Sequence, residues 1–319
     1  MGDGKWDKKE FAAYSKTMGR SVRADGNIDT SRMRGAQDMY RSRSLADELS
    51  PLNVTRECRD SDEHPETVPV ILALDVTGSM GGALLKTASC LNEIMQNVLG
   101  EFRDVEFMVM GIGDLYCDDA PIQISQFESD IRIARHLDRI WFERGGGGNA
   151  EESYSAAWYM GLRHTSLDCR KRGKKGIIVT VGDEPLNAKL PARRLAEITG
   201  DAVQSDIGTE ELYASASEAF DIFHIAVDDR EDSYWRYADR IDGTFGKLLG
   251  NRLKISSVDG LPGMIVGCLR ECGVEKKGEK SGNAAGELAW DTGEETESAA
   301  AGENAPGSVF PGDMKTVSW

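Results

Sequence analysis

A chain of 319 residues, 40% hydrophobic and 29% charged, has material for one large or two ordinary domains with a full core. Its net charge of −16, from 38 basic against 54 acidic side chains, excludes a broad basic surface, so nucleic acid is not an expected partner. The longest strongly apolar run is Val68 to Val76, well short of the roughly 18 residues of a spanning helix, so no membrane association is expected either.

The opening segment MGDGKWDKKE has no apolar h-region and no small-residue cleavage site, and Trp6 stands where a myristoylation motif wants Ser or Thr. A cytoplasmic address is expected on those grounds. Residues 1–67 are polar and broken, with short helical patterns at Lys8 to Met18 and Ala36 to Leu49 before the charged stretch RECRDSDEHP. They hold too few large apolar residues for a core of their own, so they read as an extension that packs on the following domain or stays partly mobile. His64 is expected at the surface.

From Val68 to Val274 strands and helices alternate. VPVILALD (68–75) is a continuous apolar run of the buried parallel type, and a helix follows whose Leu84, Leu85, Ala88, Leu91, Met95 and Val98 share one face. VEFMVMGIG (105–113) is a second buried strand, and PIQISQF (121–127) alternates like an edge strand. Helices are expected over 130–139 and 151–169, then the strands GIIVTVGD (176–183) and FDIFHIAVD (220–228), separated by helices at 192–199 and 209–219. A helix at 233–241, a short strand at 252–257 and a helix at 261–272 complete the set. This alternation predicts an α/β domain with a doubly wound, mostly parallel sheet, helices on both faces and one antiparallel edge strand. Residues 275–319 change to an acidic Gly- and Ala-rich composition of net charge −5, which predicts a disordered tail. The six cysteines show no C-x-x-C spacing, so reduced thiols are expected, and Cys268 and Cys272 lack a nearby His that would make them a metal pair.

In a doubly wound sheet ligands bind beyond the carboxyl ends of the strands, where strand order reverses, so polar residues just after apolar strands carry the functional expectation. Asp75-Val76-Thr77-Gly78-Ser79 sets one carboxylate and two hydroxyls on alternate residues of a tight loop. These are hard oxygen ligands of the kind Mg²⁺ or Mn²⁺ takes. Asp183 ends a later strand, and RGGGGNAEES brings four glycines and Asn149 to a helix start. Singly, Asp75, Thr77, Ser79 and Asp183 could each cap a helix; together they predict a metal site. Glu151 and Glu152 read as dipole-complementing acids at a helix start, and His224 as a core histidine.

This constellation resembles the von Willebrand factor type A domain with its metal-ion-dependent adhesion site, in a bacterial or phage-type intracellular form. The family's D-x-S-x-S is matched by DVTGS at Asp75, Thr77 and Ser79, and its later Asp by VTVGDEP at Asp183. The resemblance covers about two thirds of the chain. The family usually places a Thr in its second motif, whereas here a glycine run leads to Asn149, the first choice for that ligand position ahead of a backbone carbonyl or water. The resemblance implies a non-enzymatic module that binds Mg²⁺ or Mn²⁺, leaves a coordination position open for an Asp or Glu of a protein partner, and works in an assembly or with an AAA+ ATPase. The alternative is a Mg²⁺-dependent hydrolase that resembles the haloacid-dehalogenase-type phosphatases. Their second Asp is Thr77 here, and GDEPLNAK carries no acid four residues beyond the Asp183-Glu184 pair.

Overall fold

The computed structural model describes residues 4–143, 151–228 and 233–277. In chain order the main elements are α1 (Lys8–Thr17), β1 (Val68–Asp75), α2 (Gly81–Ser89), α3 (Leu91–Glu101), β2 (Val105–Ile112), β3 (Ile122–Ile124) and α4 (Arg132–Arg139). They continue with α5 (Ser155–Arg163), β4 (Gly176–Gly182), α6 (Ala192–Thr199), α7 (Thr209–Ala219), β5 (Phe220–Val227), α8 (Ser233–Ile241), β6 (Leu253–Ser256) and α9 (Leu261–Glu271).

One six-stranded sheet runs in the order β6-β5-β4-β1-β2-β3, parallel throughout except for β3, which lies antiparallel on β2 at the edge. The α/β, doubly wound arrangement with an antiparallel edge strand is therefore as the sequence predicts. From β1 the chain moves outward to β2 and β3, then returns to lay β4 on the other side of β1. That reversal puts the switch point between β1 and β4, so the loops after Asp75 and Gly182 leave the sheet as neighbours.

The alternating residues of each strand feed two cores, which is why these strands read as unbroken apolar runs. On one face Val70, Leu72 and Leu74 of β1 pack with Phe107, Val179 and Phe223 beneath α2, α3, α4 and α9. On the other, Ile71 and Ala73 pack with Met108, Ile178 and Ile222 beneath α5 and α7, with Trp158 fully buried. Among the described residues no helix is long and apolar enough to cross a membrane.

The N-terminal extension packs on the domain. Asp7 caps α1 by accepting from Lys9 N (2.7 Å) and Glu10 N (2.9 Å), and Phe11, Ile28, Met39, Tyr40 and Leu49 join the first core. Arg20 is buried against Asp138 at 2.8 Å, and Trp6 donates to Asn92. The expected helix over 36–49 is only Ala36–Met39 plus a 3₁₀ turn at Asp47–Leu49. The expected helix over 151–169 is α5 alone, followed by a strand at Thr165–Leu167 that pairs with Arg56–Cys58. His64 is buried, not surface: Nε2 lies 3.2 Å from Ser129 Oγ and Nδ1 3.4 Å from Asp104. All six cysteines are free thiols.

The compact unit ends at Lys277, three residues beyond the expected boundary. Arg103 N donates to Glu275 O and Lys277 N to Glu101 O, so residues 275–277 pair with the segment ahead of β2. The rest of the expected tail, 278–319, lies outside the described residues.

Candidate metal centre

Asp75 is the last residue of β1 and is fully buried. Its Oδ1 accepts from Thr77 N (2.9 Å) and from Thr77 Oγ1 (2.6 Å), and its Oδ2 accepts from the Tyr154 hydroxyl (2.6 Å). Ser79 lies exposed on the 3₁₀ turn Gly78–Met80, where its hydroxyl donates to Asp183 Oδ1 at 3.1 Å. Asp183 follows β4 directly and is buried. Four of the five expected site residues thus come together as two hydroxyl–carboxylate pairs on adjacent loops. The fifth, Asn149, lies outside the described residues.

Tyr154, at the start of α5, ties the two loops together. Besides donating to Asp75, its oxygen accepts from Glu184 N at 3.3 Å. That approach requires glycine at 182, because a Cβ there would collide with the Tyr154 hydroxyl. The Tyr154 ring rests on His224 and Phe245, which stack on each other at 3.7 Å. His224 is a core histidine as expected: Nδ1 meets Thr180 Oγ1 at 2.8 Å, and burial pushes its pKa down to about 3, so it is neutral.

A second layer comes from three more loops. Asp114, two residues beyond β2 and fully buried, accepts at Oδ1 from Ser153 (3.2 Å) and Asn187 (3.0 Å), and its N–H donates to Asp118 Oδ2 (2.6 Å). Glu152 does not begin a helix. Its segment runs alongside 185–187, with Glu152 N donating to Pro185 O (2.9 Å) and Asn187 N to Glu152 O (3.1 Å). Its neighbour Glu151 pairs with Arg240 at 2.6 Å.

The electrostatics are those of acids crowded together out of water. Burial, then the charge of Asp183, holds the Asp75 carboxyl well above the usual range. Burial, then Asp75, does the same to Glu152. Glu184 is pushed up to about 7 by burial and Asp183, and Asp118 up to about 6, chiefly by burial.

Two carboxylates and two hydroxyls are a donor set of the hard-oxygen kind, and the Asp75 carboxyl is raised by burial and by the charge of Asp183 beside it, so the residues present fit a small divalent cation. Among the described residues no three His, Cys, Asp or Glu side chains gather tightly enough to hold an ion by themselves, so the hydroxyls and water belong to any such coordination. Sequence reasoning missed Asp114 and Tyr154, and it read Glu152 as a helix start. The strand-end rule that selects Asp75 and Asp183 would have found Asp114 after 105–112, whereas nothing local in the sequence announces Tyr154.

No protein-family model matches the chain, and no curated protein does. Among solved structures it is similar to the pilus adhesin SpaC from Lactobacillus rhamnosus GG in an open conformation, at 10% identity and a TM-score of 0.42 over 68% of this chain and 31% of that one. It is also similar to proximal thread matrix protein 1 from the mussel byssus, at 11% identity and a TM-score of 0.42 over 67% of this chain and 49% of that one. The chain spans between 31% and 49% of the length of these structures.

Proposed function

We propose that the chain is a cytoplasmic, divalent-cation-dependent protein-binding module of the von Willebrand factor type A kind. In this reading Asp75, Thr77, Ser79 and Asp183 hold Mg²⁺ or Mn²⁺ at the carboxyl edge of the sheet. Asn149 supplies a further ligand. The bound ion supplies positive charge, and an Asp or Glu carboxylate of a partner protein completes its shell, entering from the side of exposed Ser79. Members of the family that work with AAA+ ATPases make such an ATPase the first partner class to test.

The observation that carries the reading is the meeting of the Asp75–Thr77 and Ser79–Asp183 pairs across the switch point. Binding is favoured over turnover because the place a phosphatase gives its acid/base is held by Thr77, whose hydroxyl is donated to Asp75.

Isothermal titration of Mg²⁺ and Mn²⁺ into chelator-stripped protein tests this. Saturable binding to the wild type that disappears in Asp75→Asn is the expected result; equal binding by both proteins would remove the site from this edge.

A further inference from the structure

We propose that Phe245 is a positioning residue of the cation site, which acts through the rings of His224 and Tyr154 to hold the Tyr154 hydroxyl on the Asp75 carboxylate. The inference rests on the cation site proposed above and adds to it the turn that follows α8, which no strand-end motif includes.

Every link in that chain is a direct contact. α8 runs on into a π-helical turn, Asp242–Gly246, an irregularity that is frequent at functional sites. Phe245 lies on that turn and is fully buried. Its ring stacks on the His224 imidazole, with centroids 3.7 Å apart and planes 6° from parallel. Thr180 holds the imidazole by its edge: the Thr180 hydroxyl donates to Phe223 O (3.2 Å), so His224 Nδ1 carries the proton of its 2.8 Å bond to Thr180 Oγ1. Both rings bear on Tyr154, His224 at 4.9 Å and Phe245 at 5.5 Å, in the tilted arrangements that aromatic pairs favour. At the far end of the phenol, Glu184 N donates to the Tyr154 oxygen (3.3 Å), which leaves the single hydroxyl proton for Asp75 Oδ2 (2.6 Å).

Gly182 lies against the hydroxyl and the two rings pack against the phenol, so Tyr154 is fixed from both ends. Removing the Phe245 ring opens space beside the phenol. Asp75 then keeps its bonds from Thr77 on Oδ1, while the partner of Oδ2 is free to shift. The same element also reaches the neighbouring loops: Thr244 Oγ1 accepts from Leu186 N (3.4 Å), and Arg240 of α8 pairs with Glu151 (2.6 Å). α8 and its turn are thus tied to the loop after β4 and to the segment ahead of α5, and Phe245 is the contact that leads on to a proposed ligand. Groups that orient a metal ligand from outside the coordination shell typically contribute tenfold to a hundredfold in affinity. Tyr154 stands at that distance from the ion, and Phe245 one step further out, so its effect is smaller.

The test is titration of Mg²⁺ into chelator-stripped proteins, well below every melting midpoint. The set is wild type, Asp75→Asn, Tyr154→Phe, Phe245→Leu, the better-filling Phe245→Met, each Phe245 variant combined with Tyr154→Phe, and Phe107→Leu. Phe107 is a buried ring of the other core, so its variant reports what general loosening does to the site. The expected result is loss of binding in Asp75→Asn, a Kd about tenfold weaker in Tyr154→Phe and roughly threefold weaker in the Phe245 variants, and the wild-type Kd in Phe107→Leu. In the combined variants binding is no weaker than in Tyr154→Phe alone, because the route from Phe245 ends at the hydroxyl. Wild-type affinity in the Phe245 variants, with binding lost in Asp75→Asn, overturns the role of Phe245 and leaves the site standing. So does a combined loss equal to the product of the single ones, or an equal loss in Phe107→Leu. Wild-type affinity in Asp75→Asn, or no binding by the wild type, overturns the site and this proposal with it.

Discussion

Acids stand at both ends of the same sheet; among the described residues several at the amino end are paired with cations, while several buried ones at the carboxyl end lie close to one another. At the amino end Asp60 accepts from Thr67 and pairs with Arg172, Asp168 pairs with Arg59 (3.0 Å) and Lys171 (2.7 Å), and Glu101 pairs with Arg270 and Lys276. Those partners hold Asp168 and Glu101 down to about 2. At the carboxyl end Asp75, Glu152, Glu184 and Asp118 are all shifted upward, with burial the first cause in each. Glu106, at the amino end of β2, is also pushed up to about 7 by burial, but it is a single such group, whereas the carboxyl end gathers several raised acids and so carries a larger unfavourable term that folding does not need. Such terms persist where a ligand relieves them.

The sharpest way to break that contrast is Asp75→Asn in chelator. A carboxyl whose folded pKa lies above its unfolded value binds its proton more tightly in the folded state. Folding is then penalised as pH rises above the unfolded value, here the ordinary 3.8, towards the raised folded one. The amide keeps the shape and has no proton to lose. The variant should therefore become more stable than the wild type as pH rises from about 4 to 8, on the order of 1 kcal/mol per pH unit. The variant-minus-wild-type difference cancels neutral His224, whose depressed pKa works in the opposite direction. Urea melts at fixed pH steps measure it, and a flat difference would mean that Asp75 is not under the strain argued for it.

Most of the fold was legible because its strands are buried on both faces: 68–75 and the runs beginning at 105, 176 and 220 announce themselves residue by residue, and helices 192–199, 209–219 and 233–241 lie where periodicity predicts. The failures are local patterns overruled by distant partners. Residues 165–167 look helical but pair with 56–58, and Glu152 looks like a helix start but is drawn alongside Leu186. At the site, Asp75, Thr77, Ser79 and Asp183 are visible as polar residues after apolar strands. Tyr154 is not, because its place depends on the missing side chain of Gly182, twenty-eight residues later in sequence.

Gly182→Ala is the next test, since it acts on the carboxyl edge without changing any charge. The added methyl must displace the Tyr154 hydroxyl, which separates it from both Asp75 and Glu184 N. Overpacking of this kind costs about 1–3 kcal/mol. If the contrast between the edges is right, the Mg²⁺-induced rise in melting temperature shrinks as well, because Asp75 loses the group that orients it. An unchanged Mg²⁺ response, read by melting with and without the ion, would leave Tyr154 as packing alone.

The smallest effect is expected at the amino end, and its sign is the informative part. Asp168 is held down to about 2 by Lys171 first and by Arg59 after it, so its ionised form is favoured by folding. Such a group contributes stability above its unfolded pKa of 3.8, and that contribution is lost as pH falls through about 2. Asp168→Asn should therefore destabilise the protein at neutral pH and become equal to the wild type near pH 2. Because Lys171 and Arg59 reach well into solvent, screening limits the loss to about 0.5–1 kcal/mol. Asp75→Asn in chelator and Asp168→Asn are thus the same chemical change at opposite ends of one sheet, with opposite expected signs at pH 7. If both variants destabilise the metal-free protein there, the carboxyl edge is an ordinary set of satisfied acids, and the electrostatic case for a cation at that edge is gone.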